Sequence, residues 1–139
     1  MIRTETAWVL FFAGLIFVWA LILGVWKWLQ MATSPDGTAH PYVDIAHRSA
    51  LLYSFATGLI AAFVQLSGWP SAVNGSAAGA IVLLFVVTIA NYVRLAWQRE
   101  TDNQMRNAPH SMRFVLATLI AGEIGGFIVL LAGFAKAQL

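Results

Sequence analysis

The sequence predicts an all-α integral membrane protein, a four-helix bundle forming one domain over residues 1–139. Two observations predict it. The chain is 60% hydrophobic and only 10% charged, with a mean hydropathy of +0.75, whereas soluble domains carry about 25% charged residues. A bilayer-spanning helix needs about 20 consecutive apolar residues, and four segments meet that length, about 7–30, 46–68, 77–98 and 113–135. Together they use most of the chain and leave no room for an extramembrane domain.

The first segment follows a short polar lead, Met1–Thr6. A signal peptide is the competing reading, but its apolar core would be about 7–15 residues and end at small residues. Here Ala7–Gly24 runs into GVWKWLQ, with Trp8 at one end and Trp26 and Trp28 at the other, as an aromatic belt requires. The connector 31–44 contains SPDGTAHP, dense in turn formers. The next, GWPSAVNGSAAG, is short and uncharged. Its Asn74-Gly75-Ser76 matches a glycosylation sequon by pattern, but Asn-Gly reads first as a turn. The third connector, QRETDNQMRNAPHSMR, is the most polar stretch, and Pro109 separates the helices on either side.

Charge sets the expected orientation. Arg3 and Lys136 lie with the termini, while Lys27, Arg48, Arg94, Arg99, Arg106 and Arg113 lie at the opposite end, two against six. The positive-inside rule then places loops 31–44 and 99–112 in the cytoplasm and both termini outside, the setting expected being the bacterial inner membrane. A pI near 9.4 follows from a net charge of only +2. No basic cluster suggests a nucleic-acid partner; the lipid bilayer is the partner the composition calls for. The absence of cysteine excludes disulfides, thiolate metal sites, iron–sulfur clusters and c-type haem attachment.

Polar residues inside the spans are the functional candidates. Helical spacing puts His47, Ala50, Leu51, Ser54, Thr57, Gly58 and Ala61 on one small, partly polar face that should meet other helices, with His47 at its mouth. Helix three carries a stripe of Thr88, Asn91, Arg94, Leu95 and Gln98. Asn91 lies roughly 10 Å in from the helix end, and Tyr53 on helix two sits at a similar depth. Glu123 lies near the centre of helix four, where an ionisable group is costly and a functional candidate. Its setting, AGEIGG, equally permits close packing with the carboxyl as structural glue. A histidine at a membrane interface can be merely amphipathic, and Asn91 can be an interhelical hydrogen bond. His40, His47 and His110 share one end and could bind zinc, although two of them lie in loops without ligand spacing.

Ala46-His47 at the opening of helix two and Ala90-Asn91-Tyr92 in helix three resemble the small four-helix membrane isomerases, styrene oxide isomerase and hydroxylaminobenzene mutase. The likeness covers roughly residues 7–135 in helix count and spacing. It implies a homotrimer binding haem b between subunits, with His47 as axial ligand and ferric iron as Lewis acid. On that pattern Asn91 helps hold an oxygen-bearing substrate, and Arg48 and Arg94 are placed to pair with the haem propionates. Two positions depart from the family. Tyr53-Ser54 stands where the family has Asn-Gly, and Leu95 where the epoxide isomerase has tyrosine, so Tyr53 is the candidate for the missing hydroxyl.

The expected activity is therefore an intramolecular rearrangement of a hydrophobic aromatic epoxide to an aldehyde, or of an N-arylhydroxylamine to an aminophenol. The alternatives are a proton-coupled small-molecule transporter using Glu123 and an accessory subunit of a membrane complex. Small multidrug transporters keep their essential glutamate in helix one, which here is uncharged between Glu5 and Lys27. An electron-transfer cytochrome b normally ligates each haem with two intrahelical histidines, and this chain offers one.

Overall fold

A computed structural model describes residues 1–106 and 108–139. It contains four helices, α1 (Thr4–Thr33), α2 (Pro41–Leu66), α3 (Ser71–Gln98) and α4 (His110–Gln138). Each is long and apolar enough to cross a membrane, and among the described residues there is no strand. The fold is all-α and fits an integral membrane protein.

α1 and α4 overrun the apolar spans at both ends, and α2 and α3 start early, because their polar flanks are good helix starts rather than loops. At α2, Pro41 occupies the first helical position and Asp44 lies in the first turn, where a missing N–H costs nothing and a carboxylate faces the positive end of the helix dipole. The imidazole Nδ1 of His40 accepts from the Tyr42 N–H at 3.2 Å and caps the helix. The connector expected over 31–44 thus shrinks to residues 34–40. Its turn is closed by the Gly37 N–H on the Ser34 carbonyl at 3.1 Å, with Gly37 at φ +69, a conformation that glycine adopts without steric cost.

The second connector is shorter still, which corrects the Asn-Gly turn. Asn74 and Gly75 lie inside the first turns of α3, and Asn74 is fully buried. Its Nδ2 donates to the Trp69 carbonyl at 3.1 Å. Pro70 is the N-cap and the helix starts at Ser71, so the asparagine of the sequon is sealed within the bundle. α3 ends at Arg99, held at φ 55. The left-handed region costs a non-glycine residue about 1 kcal/mol or more, and here the Arg99 N–H closes on the Leu95 carbonyl at 3.0 Å.

α1 and α2 form the tightest pair. Thr6, Val9, Ile16, Ala20 and Leu23 of α1 pack on Ala46, Ala50, Ser54, Thr57, Ala61 and Val64 of α2, all buried. Small residues on both sides let the backbones approach, which is what holds helices together where lipid is as apolar as leucine. The two α2 hydroxyls of the seam bond within their own helix, Ser54 to the Leu51 carbonyl at 2.6 Å and Thr57 to the Tyr53 carbonyl at 2.7 Å. The pair is antiparallel. The Arg3 N–H reaches Gln65 Oε1 at 3.0 Å at one end, and Lys27 reaches Asp44 at 2.6 Å at the other.

α3 lies against this pair through Ala78, Ile81, Val82, Phe85 and Ile89. α4 is different: only Leu130 and Gly133 are buried. Its C-terminal half is pinned where α2 meets α3. The Gly68 N–H donates to the Gly133 carbonyl at 2.8 Å, and the Trp69 indole to the Val129 carbonyl at 2.8 Å. Its N-terminal half instead exposes Phe114, Val115 and Ile120.

A Cβ at position 133 would fall on the Ser67 hydroxyl and the Trp69 ring. Gly133→Leu is therefore expected to lower stability by about 1–3 kcal/mol, the usual cost of overpacking. Gly14→Leu, where nothing lies within 4 Å, should change it little. Unfolding of the two variants in detergent, followed by circular dichroism, measures the difference.

Candidate functional site

The site is built at the end of the bundle where α1 finishes and α2 begins. Ala46 and Ala50 are fully buried against α1, which turns half-buried His47, one residue on from Ala46, toward the same neighbour. Its Nδ1 lies 3.0 Å from the Ala20 carbonyl oxygen. A carbonyl can only accept, so Nδ1 carries a proton, and in the neutral ring the lone pair then lies on Nε2. The ring occupies the space left by Gly24, where a Cβ would come within 2.9 Å of His47 Cε1 and 3.3 Å of Nδ1. Gly24 and Ala20 are thus the residues that orient His47. Sequence reasoning missed both, since one is a backbone group and the other an absent side chain.

One turn outward, Asp44 bridges two helices. It accepts from Lys27 at 2.6 Å and from Arg48 at 3.0 Å. Arg48, expected to face a propionate, is engaged by this carboxylate on its own helix.

Asn91 belongs to a second polar group nearer the end of α3. Its Oδ1 accepts from Arg94 Nη2 at 2.9 Å, and its Nδ2 donates to Gln104 Oε1 at 3.0 Å. The backbone N–H of Gln104 donates to the Tyr42 hydroxyl at 2.6 Å. Tyr42 stacks on Tyr92 at 6.0 Å and on His40 at 6.1 Å. Asn91, Arg94 and the third connector are therefore tied together, and the hydrogen bonds of His47 and Asn91 lead to different partners. Tyr42 and Gln104 were not legible from sequence, because 62 positions separate them.

Tyr53 and Glu123 lie deeper, on the α4 side. The Tyr53 ring stacks on Phe85 with centroids 4.1 Å apart and planes within 6°. Phe85 in turn lines a groove of about 380 Å³ that Glu123 shares with Ala56, Ile60, Ile81 and Phe127.

The chain matches no protein-family model, no curated protein and no solved structure. The site is therefore read from its own geometry. Among the described residues no group of three or more histidine, cysteine or acidic side chains gathers to chelate a bare metal ion. His40 caps α2 and His110 opens α4, so the three histidines do not form the zinc site considered from sequence. A haem asks less of the protein, one axial imidazole with its lone pair presented, and second-shell partners commonly fix such a ligand by accepting its other N–H. His47 supplies the second of these features, an imidazole whose Nδ1 is held by the Ala20 carbonyl.

Two groups outside the spans have shifted acidities. Hydrogen bonds from Ser34 and Thr38 hold the Asp36 carboxyl below its usual range. Burial, and then the Arg99 charge, hold His40 below its ordinary value of 6.5, against a smaller opposing pull from Asp102. A histidine with a depressed folded pKa stabilises fully above the unfolded value and loses that contribution as pH falls through the folded one. Protonation also removes the Nδ1 acceptor that caps α2. Histidine titration by NMR should accordingly place His40 below 6.5, and Arg99→Ala should move it upward. A value above 6.5 that Arg99→Ala leaves in place would contradict the electrostatics described.

Proposed function

We propose that this protein is a membrane-embedded isomerase that rearranges a hydrophobic aromatic substrate, an epoxide or an N-arylhydroxylamine, with haem b held by His47. The observation that carries the reading is the locked tautomer of His47, whose Nδ1 is spent on Ala20 at 3.0 Å while Nε2 is left to bind iron. The resemblance at Ala46-His47 and Ala90-Asn91-Tyr92 supports the same assignment.

Bound at His47, haem b supplies a ferric Lewis acid that polarises a substrate oxygen with no net redox change. The protein's own residues do the rest. The Ala20 carbonyl and the gap at Gly24 fix the imidazole plane, and the hydrogen bond at Nδ1 raises the basicity of Nε2. Arg94, exposed at the end of α3, is the better placed of the two arginines to receive a propionate, since its partner is the neutral Asn91 carboxamide whereas Arg48 already serves the Asp44 carboxylate. Asn91 offers a carboxamide N–H to the substrate oxygen once Gln104 releases it.

Self-association belongs to this reading. The uncovered N-terminal half of α4 supports it, as does a second groove of about 440 Å³ between α1 and α3, lined by Trp8, Phe12, Gly75 and Gly79. Gly75 and Gly79 form a small-xxx-small pattern of the kind that receives another helix; a homotrimer is the state we propose. In the bacterial inner membrane, the six-to-two excess of basic residues puts the His47 end in the cytoplasm.

The purified protein should show a Soret band and isomerise styrene oxide or phenylhydroxylamine. His47→Ala should remove both, whereas Asn91→Ala should keep the band and lower turnover about 10²-fold, the typical loss for one oxyanion donor. A normal spectrum with full activity in His47→Ala would overturn the proposal. For orientation, cysteines introduced at Ser34 and Asn103 should resist impermeant reagents in intact cells, and ready labelling from outside would reverse the topology.

A further inference from the structure

The groove around Glu123 lies apart from the hydrogen-bonded groups of His47 and Asn91, and its chemistry is different. Every other lining residue is apolar, including Ala56, Ile60, Ile81, Phe85 and Phe127. Glu123 is half-buried among them, and no hydrogen bond or ion pair engages its carboxyl among the described residues. The charged residues of its own helix are Arg113 and Lys136, ten and thirteen positions away or roughly 15 and 20 Å along the axis. A carboxylate at this depth is costly unless a partner neutralises it, and the described residues supply none.

Shape and aromatic content indicate what the partner is. Phe85 forms one wall of the groove, its ring backed by Tyr53 stacked at 4.1 Å, and Phe127 also lines it. At about 380 Å³ the space is that of a small-molecule site. Leu59, Ile124 and Ile128 line it too and are exposed, so it opens toward the hydrocarbon. A positive charge pairs with the carboxylate, aromatic faces attract cations, and the apolar rim accepts a hydrophobic body arriving through the bilayer.

We propose that this groove binds a hydrophobic organic cation, an aromatic alkylammonium, with Glu123 as counter-ion and Phe85 as its aromatic wall. The site stands independently of haem and of isomerisation.

The test uses the full-length protein in lipid nanodiscs, with protein-free discs as background. The probes are radiolabelled (4-phenylbutyl)trimethylammonium and its neutral isostere bearing tert-butyl in place of trimethylammonium. The wild type is expected to bind the cation about ten-fold more tightly than the isostere. Glu123→Gln should bring the two near parity while leaving the isostere unchanged, and Phe85→Leu should weaken the cation a few-fold. An undiminished preference in Glu123→Gln, or no saturable binding of the cation to the wild type, overturns the site. Should Glu123→Gln fail to fold by circular dichroism, an aryl-azide analogue of the cation decides the matter on the wild type. Photolabelling of residues 56–60 and 123–128 sustains the site, and labelling elsewhere only refutes it.

Discussion

Within hydrocarbon there is no water to satisfy a stray polar group, so each one is costly until it finds a partner, and the His47–Ala20 contact is where that constraint shapes the site. A helix of alanines and small hydroxyl residues lets α2 approach α1 closely enough for a side chain to reach a backbone carbonyl of the neighbouring helix. Gly24 then provides room for the ring. The same contact that satisfies Nδ1 fixes which nitrogen remains available. Packing, tautomer and proposed chemistry thus follow from one interaction, and a bulkier residue at position 20 or 24 disturbs all three.

The two ends of the bundle are organised differently. At the His47 end, Lys27, Asp44 and Arg48 form a charged collar, and the third connector is fastened to α2 and α3 through Tyr42, Gln104 and Asn91. At the other end, α4 is secured through Gly133 and Trp69. Between them α4 diverges, leaving an apolar surface on its N-terminal half and a groove beside Glu123. A chain whose fourth helix buries two residues relies on lipid, ligand or other subunits to cover the remainder.

Much of the architecture was legible in the sequence because hydropathy and composition are direct consequences of the bilayer. The number of spans followed from apolar length, and the buried face of helix two, with Ala50, Ser54, Thr57 and Ala61, from helical spacing. Helix ends were not, since apolar length marks the hydrocarbon and says nothing of His40 or Pro70 starting a helix outside it. Asn74 was misread for a related reason: Asn-Gly favours a turn locally, but Pro70 upstream and burial against Trp69 override that preference. The partners of Asn91 were hidden by sequence distance. Helical spacing placed it on a polar stripe, and only the folded third connector brings Gln104 to it.

The most direct measurement of the central claim is the protonation state of the His47 ring, read by nitrogen-15 NMR on the haem-free protein in lipid with labelled histidine and His47→Gln used for assignment. The contact with Ala20 predicts that the neutral ring is a single tautomer, protonated at Nδ1 and bare at Nε2. A neutral ring protonated at Nε2, or one exchanging between tautomers, would contradict it.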